Sequence, residues 1–422
     1  MQIASLYRGW WVLAGLVLIY AATNGILLHT LPLLYPSLID EFGWDEVQVT
    51  LPATMFFVVA AITSPPAGVL LDRYSARKII LAGVIGIALG LAAYSHVDGL
   101  WQLVAVYIVF AVSLSMSGLV SNMLILTRWF SRLRGRATGI LLMASSLGGA
   151  VFPLLLGASM EAFGWRNSLL LFAAVAAVMT ILPLVVMVRD RPSDLGLVVD
   201  GGGDDTQATA KPPDGTGPTL REALRQPRFY VLALATGAVW FSIISLVQHQ
   251  SIYLGRDVGI DRSILPGLFS TFFACSVIGK FAFGWLGDRI DKSVTMCLSV
   301  GIFIVGLVVL RSADPTAVGS LTAYAVIAGI GFSGAFTSIQ LLIASYYAGA
   351  SYGKILACLT LIDTLAGALG TRVVGTIRDS AGSYLPAFDL MVGCCCAAIV
   401  GVVWIHRSAR ASQSAPARVA ET

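Results

Sequence analysis

The chain has 422 residues, of which 57% are hydrophobic and 12% charged, and its formal net charge is +4. Soluble domains carry roughly a quarter charged residues, so this composition excludes an ordinary soluble globular protein. A bilayer core about 30 Å thick takes about 20 apolar residues per helix, and twelve such runs fit along the sequence.

Apolar runs between polar and Gly/Pro punctuation predict helices at 10–37, 47–71, 78–95, 100–127, 135–160 and 166–188. A second set is expected at 229–254, 264–287, 293–311, 316–346, 353–378 and 385–406. The first run is too long for a signal-peptide core and lacks a small-residue cleavage site, so it reads as helix 1. Between the sets, residues 189–228 contain GGGDDTQATAKPPDGTGP, too polar and too rich in Gly and Pro to bury anything. The expected organisation is an all-α integral membrane protein with an N-terminal six-helix bundle (1–188), a cytoplasmic linker (189–228) and a C-terminal bundle with a short cytoplasmic tail (229–422).

Net charge says little about orientation, but the placement of Lys and Arg does. With the N-terminus inside, 20 of the 27 basic residues fall in the inner loops, the linker and the tails. The outer loops hold Arg166, Arg256, Arg262, Arg311 and Arg378, and the first of them is acidic (Asp40, Glu41, Asp45, Glu46). Both ends are therefore expected in the cytoplasm of an inner-membrane protein. The six cysteines all lie in apolar segments, where a thiol behaves as a small hydrophobe, and indicate neither disulfides nor zinc. The four histidines are scattered, without cysteine partners at metal-ligand spacing. No phosphate-cradling G-x-x-x-x-G-K-[ST] occurs, so ATP is not expected as the energy source. No cofactor, metal, enzyme chemistry or nucleic-acid partner is expected.

The two sets of helices repeat one another. Gly68, Leu70, Asp72 and Arg73 recur as Gly284, Leu286, Asp288 and Arg289, 216 residues on. Gly157, Glu161 and Gly164 recur as Gly375, Asp379 and Gly382, 218 residues on, and Gly135 matches Gly353 at that same spacing. Such coincidences indicate an internal duplication. Two parallel six-helix repeats about an axis along the membrane normal form a known transporter architecture.

The segment GVLLDRYSARK, Gly68 to Lys78, resembles the signature G-x-L-x-D-R-x-x-x-R-K between helices 2 and 3 of the major facilitator superfamily, with Ser75 in place of the usual glycine. In physical terms Gly68 allows close helix approach, Asp72 suits a helix N-terminus, and the Arg73, Arg77 and Lys78 charges hold the loop on one side. The resemblance implies that Gly68, Asp72, Arg73 and Arg77, with Asp288 and Arg289 of the second copy, form an inner gate that breaks as the halves rock. RWFSRLRGRATGI, FGWRNS, RDRPSDLGL, LREALRQPRFY and GTIRDSAGSYLPAF further resemble the monocarboxylate porter and oxalate/formate exchanger branch, over nearly the whole chain.

A charge at the bilayer centre costs about 2.5–3.5 kcal/mol on insertion scales, which makes each intramembrane ionisable group a functional candidate. Lys280 stands where proteins of that branch place an arginine that holds the substrate carboxylate. Lysine keeps the charge and loses the two-pronged fit. Proton-coupled members carry an aspartate one turn earlier, where this chain has Ser276. Asp363 on helix 11 should lie near the depth of Lys280 and is expected to neutralise it when substrate is absent. Arg372 faces half a turn away from Asp363, and is a second anion-binding candidate or a residue that snorkels or pairs with Asp379. Gln340 shares a face with Phe332, Ser333, Phe336 and Tyr347, which is either the wall of a cavity for an anion with an organic tail or ordinary packing. His29 either relays protons or is a satisfied structural histidine, and Asn24, Asn122, Gln248 and His249 are further polar groups in the spans.

The expected function is secondary transport of a small monocarboxylate or related organic anion, with Lys280, Gln340, Arg372, Asn122, Phe336 and Gln248 binding substrate. Asp363 and His29 are expected to couple a proton, in a carrier expected to be monomeric. The alternatives are anion exchange, efflux of an amphipathic drug or metabolite, and a transporter-like receptor that senses its ligand without moving it.

Overall fold

The computed structural model describes residues 7–199, 218–314, 317–347 and 351–414. The linker segment 200–217 and the last eight residues of the tail lie outside the described residues. The described chain is overwhelmingly helical, and we number its long helices α1 to α12. They are α1 (Arg8–Phe42), α2 (Glu46–Arg73), α3 (Ala76–Tyr94), α4 (Leu100–Trp129), α5 (134–163), α6 (165–186), α7 (Pro227–Asp257), α8 (Leu265–Arg289), α9 (Lys292–Arg311), α10 (Val318–Tyr347), α11 (Tyr352–Ala381) and α12 (Leu385–Ser414). Helices α5 and α6 run into one another as a single 53-residue element, broken only at Gly164, whose φ of +73° is left-handed and favours glycine. Eleven elements are therefore long and apolar enough to cross a membrane, and the break makes twelve passes.

Local chemistry sets the helix ends. Asp45 accepts the Gln48 N–H at 2.6 Å while the Gln48 side chain accepts the Asp45 N–H at 3.1 Å, a capping box that starts α2. Asp291 likewise accepts the N–H groups of Ser293 and Val294 at the start of α9. Helix α4 breaks at Gly118, and the Asn122 amide donates to the Ser117 and Gly118 carbonyls at 2.7 Å each. Backbone carbonyls at membrane depth have no water to meet them, so this side chain satisfies what the break exposes.

The packing repeats itself with a shift of six helices: α2 against α4 as α8 against α10, α3 against α4 as α9 against α10, and α1 against α5 as α7 against α11. Within each set of six the helices form one bundle. The sets meet along two seams, α5 against α8 and α2 against α11. Twelve passes put both chain termini on one face, here called the terminal face; the opposite face is distal.

The described contacts between the bundles concentrate toward the distal side. At the distal rim Arg262 pairs with Asp40, and Arg256 lies 3.4 Å from Glu46. The Val47 N–H donates to Asp379 at 3.3 Å. Deeper, Tyr35 donates to Gln248 at 2.8 Å, and Ser251 donates to the Pro32 carbonyl at 2.5 Å. Toward the terminal face, Cβ atoms built at Gly68, Gly135, Gly139 and Gly284 would meet nothing within 4 Å. The described contacts join the bundles distally, and the close helix approach expected at Gly68 is not made.

Candidate functional site

The site is built on the α5–α8 seam. Along it Gly157 meets Pro266, Gly149 meets Phe273, Ser146 meets Ser276 and Leu142 meets Lys280. Each step forward on α8 is matched by a nearly equal step back on α5, as two antiparallel helices in contact require. The glycines make the approach possible: a Cβ on Gly157 would lie 2.3 Å from Pro266 Cγ, and one on Gly149 would lie 2.5 Å from the Phe273 ring.

Lys280 is the last described rung of this seam. Nine residues separate it from Arg289, about 14 Å of helix, so its amine does not reach the terminal end of α8. Its Nζ instead crosses to the other bundle and donates to the Leu142 carbonyl at 2.9 Å, while the Phe336 ring centre lies 5.7 Å away. Among the described residues no carboxylate stands within 4 Å of it. One carbonyl and the face of one ring partly satisfy an ammonium that has three donors to place.

One turn toward the distal side, Ser276 donates to Ser146 at 2.7 Å. His29 follows, within 3.0 Å of Ser145 and with its ring 4.0 Å from that of Phe273. It lies in a π-helical stretch of α1, Gly25–Thr30, a distortion frequent at functional sites. The backbones of α1 and α5 almost touch beside it, since a Cβ on Gly25 would lie 2.6 Å from the Gly148 Cα. The other ring nitrogen, His29 Nδ1, is buried without a hydrogen-bond partner. Aromatic rings close the C-terminal side: Phe332 lies 6.0 Å from Phe273, and Trp240 of α7 lies 5.7 Å from Phe336. The Trp240 indole N–H is also buried and unpartnered.

Of the residues singled out in the sequence, the structure thus brings Lys280, Phe336 and His29 into one neighbourhood. Gln340 lies one helical turn beyond Phe336 on α10, half-buried and in no described side-chain bond. The others stand elsewhere. Asp363 is buried but turned toward α7, where Thr236 donates to it at 2.7 Å. No ion pair joins it to Lys280 among the described residues. The expected neutralisation fails in this state because the two residues share a depth but face different helices. Arg372 lies on the exposed stripe of α11 with Leu361, Leu365 and Leu369, opposite Asp363 and away from Lys280. Asn122 spends its amide nitrogen on the α4 break, its Oδ1 staying buried without a described partner, and Gln248 holds the distal closure through Tyr35. His249 is fully engaged, one ring nitrogen at 2.9 Å from the Tyr384 hydroxyl and the other at 2.9 Å from the Thr371 carbonyl.

The sequence reading missed Ser145, Ser146, Phe273 and Trp240. The run SSLGG in α5 carried a signal, since two hydroxyls beside two glycines in an apolar span mark a close polar crossing. Nothing in the sequence separates Trp240 from a packing tryptophan.

A family model described as Major Facilitator Superfamily matches residues 12–253 and 250–421, nearly the whole chain. The chain belongs to the Major Facilitator Superfamily. It is a multi-pass membrane protein, a transporter by family rather than an enzyme. It is 26% identical to monocarboxylate transporter 13 of Bos taurus over 388 residues, 90% of this chain and 85% of that one. It is 24% identical to monocarboxylate transporter 11 of Homo sapiens over 90% of this chain and 80% of that one. The membrane sensor protein UhpC of Escherichia coli (strain K12) is 25% identical over 60% of this chain and 59% of its own length. Among solved structures, a bacterial homolog of the human lysosomal transporter Spinster, inward-facing and unoccupied, superposes with a TM-score of 0.74. It shares 18% identity and is covered over its full length, which bears on the fold.

The superfamily's signature residues are distributed as follows. Arg77 donates to the Leu184 and Val185 carbonyls at 3.0 and 2.8 Å and so ties α3 to α6 within one bundle. Arg73 and Asp288 are exposed, Arg289 stacks on Trp285 at 3.8 Å, and the Asp72 side chain lies outside the described residues. A cleft of about 550 Å³ at the distal rim, lined by Pro36, Asp40, Glu161 and Arg262, is separate from the Lys280 cluster.

Proposed function

We propose that this protein is a secondary transporter of a small monocarboxylate or related organic anion, working by alternating access. The observation that carries the reading is Lys280, an ammonium between the bundles with a carbonyl and an aromatic ring for company and no described carboxylate. A substrate carboxylate supplies the missing charge and accepts the remaining donors, and Phe336, Phe332 and Trp240 suit its organic part. Gln340 is available one turn away. Arg372 finds less support, because its neighbours on α11 are exposed leucines.

The terminal face is proposed as cytoplasmic, from the 20 basic residues assigned to it, with both termini on the cytoplasmic side of the inner membrane. The described state is then inward-open. The two bundles, 1–188 and 229–422, rock about the Lys280 region while the linker 189–228 permits the motion. Asp363, held by Thr236, and His29, held by Ser145, are the two candidates for carrying a proton in symport. Similarity to monocarboxylate transporters over 90% of the chain supports the substrate class. The sensing alternative draws on the UhpC likeness, which spans a smaller share of both chains.

The test is uptake of labelled small carboxylates into proteoliposomes, with and without an inward proton gradient. Symport predicts accumulation driven by the gradient. Uptake that needs an internal anion and ignores the gradient indicates exchange, and binding with no uptake of any acid indicates a sensor.

A further inference from the structure

The terminal corner where α3 begins and α6 ends holds a second cavity, of about 290 Å³, lined by Ser75, Arg77, Lys78, Leu81, Arg189 and Asp190 among others. The geometry points to a headgroup site for an anionic phospholipid. Three cations border the cavity, and the backbone holds two of them in place. Arg77 spends Nε and one Nη on the α6 carbonyls of Leu184 and Val185, leaving its other Nη. Arg189 spends one Nη on the Val185 and Val188 carbonyls at 2.7 and 2.9 Å, leaving its other donors. Lys78 is exposed, and its ammonium takes part in no described bond.

The acids of the same corner are already engaged. Asp190 accepts from the Ser75 hydroxyl and from the Arg77 N–H at 2.9 Å, and lies 3.9 Å from Arg128. Asp194 accepts the Arg191 N–H at 3.1 Å. Donors of three cations thus remain open at the cavity, against two lining carboxylates, Asp190 and Asp194, that already accept hydrogen bonds from the protein, which suits a phosphate.

What selects a lipid over a free phosphate is the surface that leads away from the cavity into the membrane. Ile85 and Leu89 continue α3 below Lys78 with 41% and 65% exposure. Leu182 and Val178 continue α6 with 59% and 60%. The floor of the cavity, Leu81, joins the two tracks. A soluble anion uses the cations alone, whereas a phospholipid fills the corner and lays its chains on both tracks. Arg77 and Lys78 belong to the family signature, so a lipid bound here contacts the loop proposed as the inner gate.

The experiment reconstitutes the full chain in nanodiscs of mixed phosphatidylcholine and phosphatidylglycerol, then extracts it gently and counts retained lipid by native mass spectrometry. Wild type should keep phosphatidylglycerol in preference to phosphatidylcholine. Lys78→Ala should reduce that retention about fivefold, since a basic residue near an anionic surface contributes about 1 kcal/mol, and Lys78→Glu should reduce it further. Lys292→Ala, at the start of α9 in the other bundle, should leave it unchanged. Millimolar inorganic phosphate should not displace the lipid. Equal retention by wild type and Lys78→Glu, equal retention of the two lipids, or displacement by phosphate overturns the proposal. Lys78 is on the surface, so its variants should fold, and the readout does not depend on transport.

Discussion

The two seams between the bundles are related by the duplication, yet they differ in chemistry. Both pair antiparallel helices, and both carry a repeated glycine toward the distal end, Gly157 against Pro266 and Gly375 against Val47 and Thr50. The α5–α8 seam continues inward through Ser146–Ser276 to an ammonium that crosses between bundles. On the α2–α11 seam the described polar link is at the distal tip, Val47 to Asp379. The ionisable residue deeper on α11, Asp363, turns back to α7 inside its own bundle. The duplication supplies two equivalent contacts, and one of them carries a charge that reaches across. The candidate site is thus built mainly on one of two related seams.

The sharpest way to break this comparison is to remove that charge. Truncating one partner of a desolvated charged contact costs about 2–5 kcal/mol, so carboxylate uptake by Lys280→Ala should fall by about thirtyfold or more. Lys280→Arg should keep a measurable part. Asp363→Asn and His29→Gln separate coupling from binding: the variant that loses the proton carrier should lose gradient-driven uptake and keep counterflow. Neither behaving so would leave proton coupling without a residue.

Packing is the next contrast. A Cβ on Gly157 would overlap Pro266 at 2.3 Å, whereas one on Gly375 meets its neighbours at 3.4 Å. Overpacking costs about 1–3 kcal/mol, so Gly157→Ala should lower the melting temperature clearly and Gly375→Ala only slightly. Equal losses would mean that the seams are packed alike.

A smaller effect comes from Asp291, outside the membrane spans. Burial pushes its carboxyl up, but the Ser293 and Val294 N–H groups and the His406 ring 3.3 Å away outweigh this, and the net shift is downward. A lowered folded-state value means stabilisation that is present at neutral pH and lost as the pH falls through that value. Asp291→Ala should therefore cost about 0.5–2 kcal/mol near neutrality, the range for losing a helix cap. The gap between variant and wild type should narrow in acid. Least of all, Arg262→Ala at the exposed distal pair with Asp40 should cost under about 1 kcal/mol, read as a slight loss of melting temperature.

Much of the fold was legible in the sequence, because hydrocarbon enforces a simple rule of length and polarity. The helices start and stop within several residues of expectation at most ends. The clearest departures are α1, which runs on to Phe42, and α12, which runs on to Ser414. Both continue past the apolar stretch where the rule stops applying. The site was legible in part. Lys280 stood out because a charge in an apolar helix is costly, and Phe336 followed from its face. Depth could be counted along a helix, but the partner could not: Asp363 and Lys280 lie at similar heights and face different neighbours. Asn122 illustrates the same limit from the other side. Its burial was evident, while the break at Gly118 that occupies its amide was not.

If Lys280 waits for a carboxylate, ligand-induced stabilisation should report it most directly. Purified wild type should be screened for thermal shift against small monocarboxylates, alongside Lys280→Ala at matched pH. A ligand at a hundred times its dissociation constant stabilises by about 2.7 kcal/mol. At least one acid should raise the melting temperature of wild type and leave Lys280→Ala unmoved. An acid that stabilises both proteins equally would contradict it.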